Sequence, residues 1–397
     1  MPMPRQTPFY SRTSALCESQ SWQEWAGFLS ANTYELEHNH EYYAIRTAAA
    51  LLDISPLYKY HIHGRDAFKL VNRVVTRDVG KCAVGQVIYT PWCDEAGKII
   101  DDGTLSRLEE NFFRLTAADP TYPWLRDNAV GLDVQIEDVT EGLGALALQG
   151  PTSRDILARL ADVDLAQLRF FRLTQANLGG IPATISRTGY TGDLGYEIWV
   201  EPAQAEALWD RLMEVGQAYR LRAVGNIALD MARIEAGLLL INVDFVSAKQ
   251  TMFEIQKSTP YELGLGWTVH LDKPYFVGQA ALRAEKARGP AWATVGLEVN
   301  LESLEAVYRE FGMPLTLPGH SWNEAVPVYT GGRQIGKATS GTWSSVLKKY
   351  VALARLKPQY AKPGTRVQME VTVEAHRRVA EATVVDLPFF EPERKKK

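Results

Sequence analysis

Residues 186–200, "SRTGYTGDLGYEIWV", make a turn between two apolar strands and spend three glycines and two tyrosines on it. A hairpin needs only one or two glycines to reach positive φ, so this loop carries more than turning requires. The surrounding segments agree with antiparallel pairing. "YKYHIHG" alternates like a half-buried strand, with Tyr58, Tyr60 and Ile62 on one side and Lys59, His61 and His63 on the other. "GQVIYTPWCD" and "IIDDGTLSRLEENFFRLTA" read as two strands around the turn "EAGK". "LGALALQGPTSRDILARL" is a strand, a Gly-Pro break and a helix.

Helices are interspersed. "EYYAIRTAAALLDIS" runs from helix into a short strand, and Ala67, Phe68, Leu70, Val71, Val74 and Val75 recur with the 3.6-residue period of an amphipathic helix. The mixture is α+β rather than a regular βαβ array. At 397 residues the chain exceeds one ordinary core and calls for two or three domains. From about Pro290 short alternating strands dominate and few helices are signalled, which reads as a small all-β barrel or sandwich. We therefore divide the chain into 1–275, two interwoven α+β lobes, and a C-terminal β domain, 276–397.

A net charge of −4 offers no broad field for nucleic acid or anionic lipid. The terminal "ERKKK" reads as a frayed, solvated tail. Cys17, Cys82 and Cys93 are scattered, odd in number and without zinc spacing, which fits a reduced compartment. The start of the chain lacks the apolar core of a signal sequence and no apolar run reaches spanning length, so a cytoplasmic protein away from membranes is expected.

No Rossmann fingerprint, Walker loop, H-E-x-x-H or G-x-S-x-G occurs. His61 and His63 share a strand face but have no third ligand nearby, so they read as surface or packing histidines and no metal is assigned. Asp101 and Asp102 precede Gly103 at a strand start. Either both carboxylates are solvated in an Asp-Asp-Gly turn, or one is buried with an altered pKa and can orient or protonate an amine. Glu197 shares a strand face with Trp199. It is either a rim charge or a bidentate acceptor for an N–H pair such as that of a pterin ring. Tyr89 and Tyr190 are core residues or walls for a flat ligand.

Together, "ALLDIS", "VVTRDV", "GKIIDD", "ALALQGPTSRDIL", "SRTGYTGDLGYEIWV", "RIEAGL", "LGLGWTVHLDK" and "GKATSGTWSSVL" resemble, in order, the glycine cleavage system T-protein (aminomethyltransferase) family and its related tetrahydrofolate-dependent demethylases. The resemblance implies a three-domain, cloverleaf-like α+β molecule. It implies tetrahydrofolate in a central channel, closed on one side by the C-terminal β-barrel. It also implies Asp102 as the main catalytic carboxylate, Glu197 on the pterin edge, Tyr89 and Tyr190 lining the folate site, Trp267 as a wall, and Arg233 of "RIEAG" among the cofactor-binding residues. On this reading the loop glycines bring backbone close to the flat ligand. The folate N5 amine would take a one-carbon group while Asp102 positions it and stabilises developing positive charge.

Departures from the family pattern leave the donor open. The family's histidine is Pro56, an arginine is Leu229, and the tyrosine expected after "DD" is Ser106. Leu229, Tyr58 and Tyr60 would suit a small methylated amine, thioether or aryl ether as well as a lipoyl arm. Three readings follow: an aminomethyltransferase working with a lipoylated carrier protein, a demethylase of a small methyl donor giving 5-methyl-tetrahydrofolate, or a folate-binding protein without turnover. The "K-G-C-Y-x-G-Q" motif associated with the last is missing. The short stretch before the T-protein-like region leaves no room for an upstream FAD domain, although the protein could still serve a flavin enzyme in trans.

Overall fold

The chain weaves between two sheets. In the computed structural model, which describes residues 3–397, Ala49–Asp53 enters a six-stranded sheet. The chain then leaves to build a five-stranded sheet and returns at Gly144–Gln149. The first sheet is ordered Leu173–Leu178, Ile181–Ser186, Gly195–Val200, Gly144–Gln149, Ala49–Asp53, Leu221–Ala223, antiparallel except for its last pair. The second is ordered Gln86–Cys93, Ile99–Glu109, Phe112–Ala117, Tyr58–His63, Gln135–Asp138, antiparallel throughout.

Helix Ala67–Val74 forms where the apolar stripe falls. Ala67, Leu70, Val71 and Val74 are buried against Tyr60, Ile62, Leu105, Phe113 and Leu115 on one face of the second sheet. The opposite face is covered too. Lys59, which alternation assigns to the polar side, is fully buried, and its Nζ donates to the carbonyls of Ser55, Leu57 and Thr140 at 2.7, 2.7 and 3.2 Å. Burial pushes its pKa down to about 7. The cover is the first sheet: the Arg114 guanidinium lies 4.4 Å over the Trp199 ring. The two sheets therefore meet through polar and aromatic side chains, which is unusual ground for a purely structural seam.

The C-terminal strands close into a six-stranded barrel, His376–Val385 pairing back onto Ala293–Val299. Its outward-facing Val351 and Leu353 join Ile99, Ile234, Phe245 and Phe276 in an apolar junction with the rest of the molecule. A polar lock sits beside it. Asp244 accepts the Thr339 and Ser340 hydroxyls of the barrel at 2.5 and 2.8 Å and pairs with Arg233 of helix Asn226–Glu235. The "GKATSGTW" segment thus acts at a domain boundary.

Three expectations are corrected. The run 99–117 is two strands, Ile99–Glu109 and Phe112–Ala117, turning at Glu110 and Asn111, a tight turn without the glycine that would have signalled it. The C-terminal region contains a ten-residue helix, Leu301–Glu310, whose Asn300 side chain caps the Ser303 N–H at 2.7 Å. The terminal segment is no frayed tail. Arg394 grips buried Asp193 through two hydrogen bonds of 2.6 and 2.8 Å, the Phe390 ring covers Arg46 at 4.3 Å, and Arg187 donates to the Lys395 carbonyl at 3.2 Å. The segment straps the loop 187–194.

Candidate active site

Strand register builds the centre of the site. Pro91 faces Asp102 and Tyr89 faces Thr104, so Tyr89 and Asp102 are diagonal neighbours on one face. The Tyr89 hydroxyl donates to Asp102 Oδ2 at 2.6 Å. Gly103 is required beside them, because a Cβ there would overlap the Thr116 carbonyl across the ladder. Asp101 turns the other way and is fully buried, accepting the N–H groups of Asp102, Ala118 and Asp119 at 2.8, 3.0 and 2.9 Å. The reading with both carboxylates solvated is thereby excluded.

Burial pushes the Asp102 carboxyl up to about 6, against the opposing pull of the Tyr89 hydrogen bond. Burial also raises Asp101, with the neighbouring Asp102 charge adding to it and backbone donors opposing. The two titrate as a pair. Asp102 itself is only half-buried, so a group near neutrality on the proton scale is presented at an accessible position.

Trp267, more than half exposed, stacks on Tyr89 with ring centroids 6.1 Å apart and planes at 28°. The Arg77 guanidinium lies over the Trp267 ring, 5.2 Å from its centroid. Tyr190 is half-buried, and its hydroxyl donates to the Leu239 carbonyl. Burial raises its pKa, and the Asp102 charge adds to that shift, which puts Tyr190 in the same cluster. Arg233 stands behind them, fully buried. Four of its five N–H donors are engaged, by Asp230, Asp244, the Leu238 carbonyl and Asn323.

Glu197 belongs to the facing sheet. It is half-buried and accepts the Thr188 hydroxyl at 2.7 Å, and burial raises its pKa while Thr188 and Arg114 oppose. Arg114 is the residue that sequence reasoning missed. In "FFRLTA" it alternates with Phe113 and Leu115, which marks a polar face but not that a second sheet covers it.

The loop glycines make room for neighbouring protein atoms. A Cβ on Gly189 or Gly195 would overlap the Gln149 side-chain amide, and one on Gly192 would overlap Ala236. Fully buried Gln149 threads between them, donating to the Thr188 carbonyl at 3.2 Å and accepting the Thr191 hydroxyl at 2.9 Å. What an added carbon would meet at these three glycines is protein.

Leu229, Tyr58 and Tyr60 do not assemble into a donor pocket. Tyr60 is sealed in the helix-covered core, its hydroxyl accepting the Thr121 N–H at 3.0 Å, and Tyr58 packs on that same core. Leu229 borders a recess of about 10 Å³ with Trp22, Trp25 and Asp53, room for one water. Among the described residues, no group of three His, Cys, Asp or Glu side chains is placed to hold a metal ion. His63 pairs with Glu137 at 3.3 Å, and His61 meets Phe112 edge-on.

Residues 12–273 match the GCVT N-terminal domain and residues 313–391 the glycine cleavage T-protein C-terminal barrel domain. The chain belongs to the glycine cleavage T-protein family. It is 36% identical to an aminomethyltransferase of Bacillus cereus, over 89% of this chain and 90% of that protein. It is 32% identical to one from Caldanaerobacter subterraneus subsp. tengcongensis, over 90% and 88%. A trimethylamine-oxide aldolase of Ruegeria pomeroyi is 34% identical over 99% of this chain, which spans only 48% of that relative's length. The crystal structure of the Bartonella henselae glycine cleavage aminomethyltransferase superposes with a TM-score of 0.82 at 26% identity, covering 98% of both chains. The α+β fold and C-terminal barrel of this T-protein family member are thus those of an aminomethyltransferase, and the family is one of folate-dependent one-carbon transferases.

Proposed function

We propose that this protein is a tetrahydrofolate-dependent one-carbon transferase in which Asp102 is the key carboxylate. The observation that carries the reading is the Tyr89–Asp102 pair, whose carboxyl has a pKa of about 6 and opens to solvent beside stacked Trp267. Tetrahydrofolate fits the surrounding residues. Half-buried aromatic rings offer flat walls, and Glu197 across the sheets offers an acceptor for the N–H pair of a pterin. Bound there, the cofactor supplies the nucleophilic amine that accepts the one-carbon group. The ionised Asp102 positions that amine and stabilises positive charge on nitrogen, and its elevated proton affinity suits it to hold a proton in passing. Tyr89 keeps the carboxylate aimed and partly ionised.

The family's aminomethyl transfer from a lipoylated carrier protein is the first donor reading, supported by similarity to aminomethyltransferases along most of their length. A small N-methylated compound is the second, favoured by the relative named for trimethylamine oxide. A single-turnover reaction with tetrahydrofolate, its product analysed by mass, separates them. Methylene-tetrahydrofolate plus ammonia from aminomethylated carrier supports the first, and a methyl- or methylene-loaded folate formed from a small donor with no carrier present supports the second. Tight folate binding with no product from any donor would leave a binding protein without turnover.

A further inference from the structure

The seam between the two sheets holds a cation with two nitrogens that find no hydrogen-bond partner. Arg114 is 3% exposed, and its Nε and Nη2 atoms are sealed from solvent without a hydrogen-bond partner. Burying an unpaired guanidinium costs several kcal/mol, and burial pulls its pKa down to about 10. Its neighbours are known from the register: Ser106 on one side and His61 on the other, with the Trp199 ring beneath. Neither flanking residue satisfies it. Burial and the Arg114 charge pull His61 down to about 4, so it is neutral, and its Nε2 is itself sealed and unpartnered. Ser106, where the family pattern has tyrosine, makes no side-chain hydrogen bond to Arg114.

Glu197 is close enough for each charge to stabilise the other, yet among the described residues no carboxylate oxygen comes within ion-pair distance of Arg114. Glu197 has lone pairs beyond the one that accepts the Thr188 hydroxyl, and Arg114 on the facing sheet has two nitrogens without a partner, so a ligand entering the seam would meet an acceptor and a donor together. The edge of a 2-amino-4-oxopyrimidine ring presents two N–H donors and, next to them, one carbonyl acceptor. A carboxylate can take the donors and a guanidinium the carbonyl.

We propose that Arg114 is a ligand-recognition residue that donates to the 4-oxo oxygen of the pterin while Glu197 accepts the adjacent N–H pair. This rests on the folate reading of the site. Arg114 then explains selectivity: a ligand carrying an amino group at position 4 turns a donor toward a cation that can only donate.

Calorimetric titration of the full chain with tetrahydrofolate and its 4-amino-4-deoxy analogue tests this, using wild type, Arg114→Met, Arg114→Lys and Glu197→Gln. Wild type should favour the 4-oxo ligand by about 10- to 100-fold, the range of a hydrogen bond to a charged group. Arg114→Met should reduce that preference through weaker 4-oxo binding, the remainder coming from the N3–H opposite Glu197 that the 4-amino ligand lacks, and Arg114→Lys should fall between. The unliganded Arg114→Met protein should melt no lower than wild type, because an unsatisfied charge has been removed. Equal losses for both ligands, or none for either, with Glu197→Gln still impaired, would overturn the Arg114 role and leave the folate reading intact. Arg114 satisfied by buried water alone would give that second pattern. Failure of wild type to bind either ligand would remove the folate reading and the inference with it.

Discussion

The side-chain amide of Gln149 occupies the space that a Cβ on Gly189 would take, so strand and loop are fitted to each other through one missing carbon. Because Gln149 also bonds to Thr188 and Thr191, the fit sets the path of the loop that leads into Glu197. Gly189→Ala should therefore cost about 1–3 kcal/mol by overpacking. Gly319→Ala, where nothing lies within 4 Å of the added carbon, should be near neutral. Urea denaturation of both variants checks the pair, and equal midpoints would mean the loop yields to the extra carbon.

Asp102→Asn keeps the shape of the side chain and removes its charge. Turnover should fall by ~10²–10⁴-fold, the range for a positioned acid or base, with a much smaller change in folate affinity. With the carboxyl near 6, the rate profile of the wild type should have an acidic limb near that pH. Tyr89→Phe removes the hydrogen bond that favours the ionised form, so the limb should move to higher pH. A limb that stays in place would separate Tyr89 from the titration of Asp102.

The same carboxyl has a consequence for stability. Its proton affinity is higher in the folded protein (pKa about 6) than the ~3.9 of an unfolded chain. Its contribution is therefore present below about pH 4 and lost as pH rises through about 6. Asp102→Asn should stabilise the folded protein by about 1–3 kcal/mol at pH 7.5, with the advantage shrinking towards pH 4.5. Thermal melts of variant and wild type at the two pH values measure that difference directly.

Local periodicity carried much of the architecture. The helix Ala67–Val74, the hairpin around Gly192 and the C-terminal barrel follow from stripes, alternation and turn residues that each segment contains. Alternation also placed Tyr89 and Asp102 on strands whose pairing puts them side by side. What it could not convey is what covers a face. Lys59 and Arg114 look like solvent-side residues in their own strands, and only the docking of the other sheet seals them. Gln149 among the glycines and Arg394 on Asp193 are long-range contacts with no local signal, so the loop looked built for a ligand and the tail looked free. Leu229, Tyr58 and Tyr60 have the chemistry to suit a small donor, and packing against their own cores takes them elsewhere.

Asp244 ties the barrel to the rest of the molecule by a buried ion pair with Arg233 and by the hydroxyls of Thr339 and Ser340. Asp244→Ala leaves the Arg233 guanidinium with one fewer counter-charge in a sealed position, for which a cost of about 3–5 kcal/mol is expected. Thr339→Val removes a single hydroxyl and should cost about 1 kcal/mol. The two should also differ in kind. With Asp244 gone, the barrel keeps its apolar junction at Val351 and Leu353 and the Ser321 and Asn323 bonds to Asp230 but loses its buried ionic tie, so chemical denaturation should broaden or split into two transitions. Thr339→Val should keep the wild-type transition shape. If Asp244→Ala instead lowers the midpoint without changing the shape, the remaining contacts are sufficient to couple the domains, and Asp244 acts on stability alone.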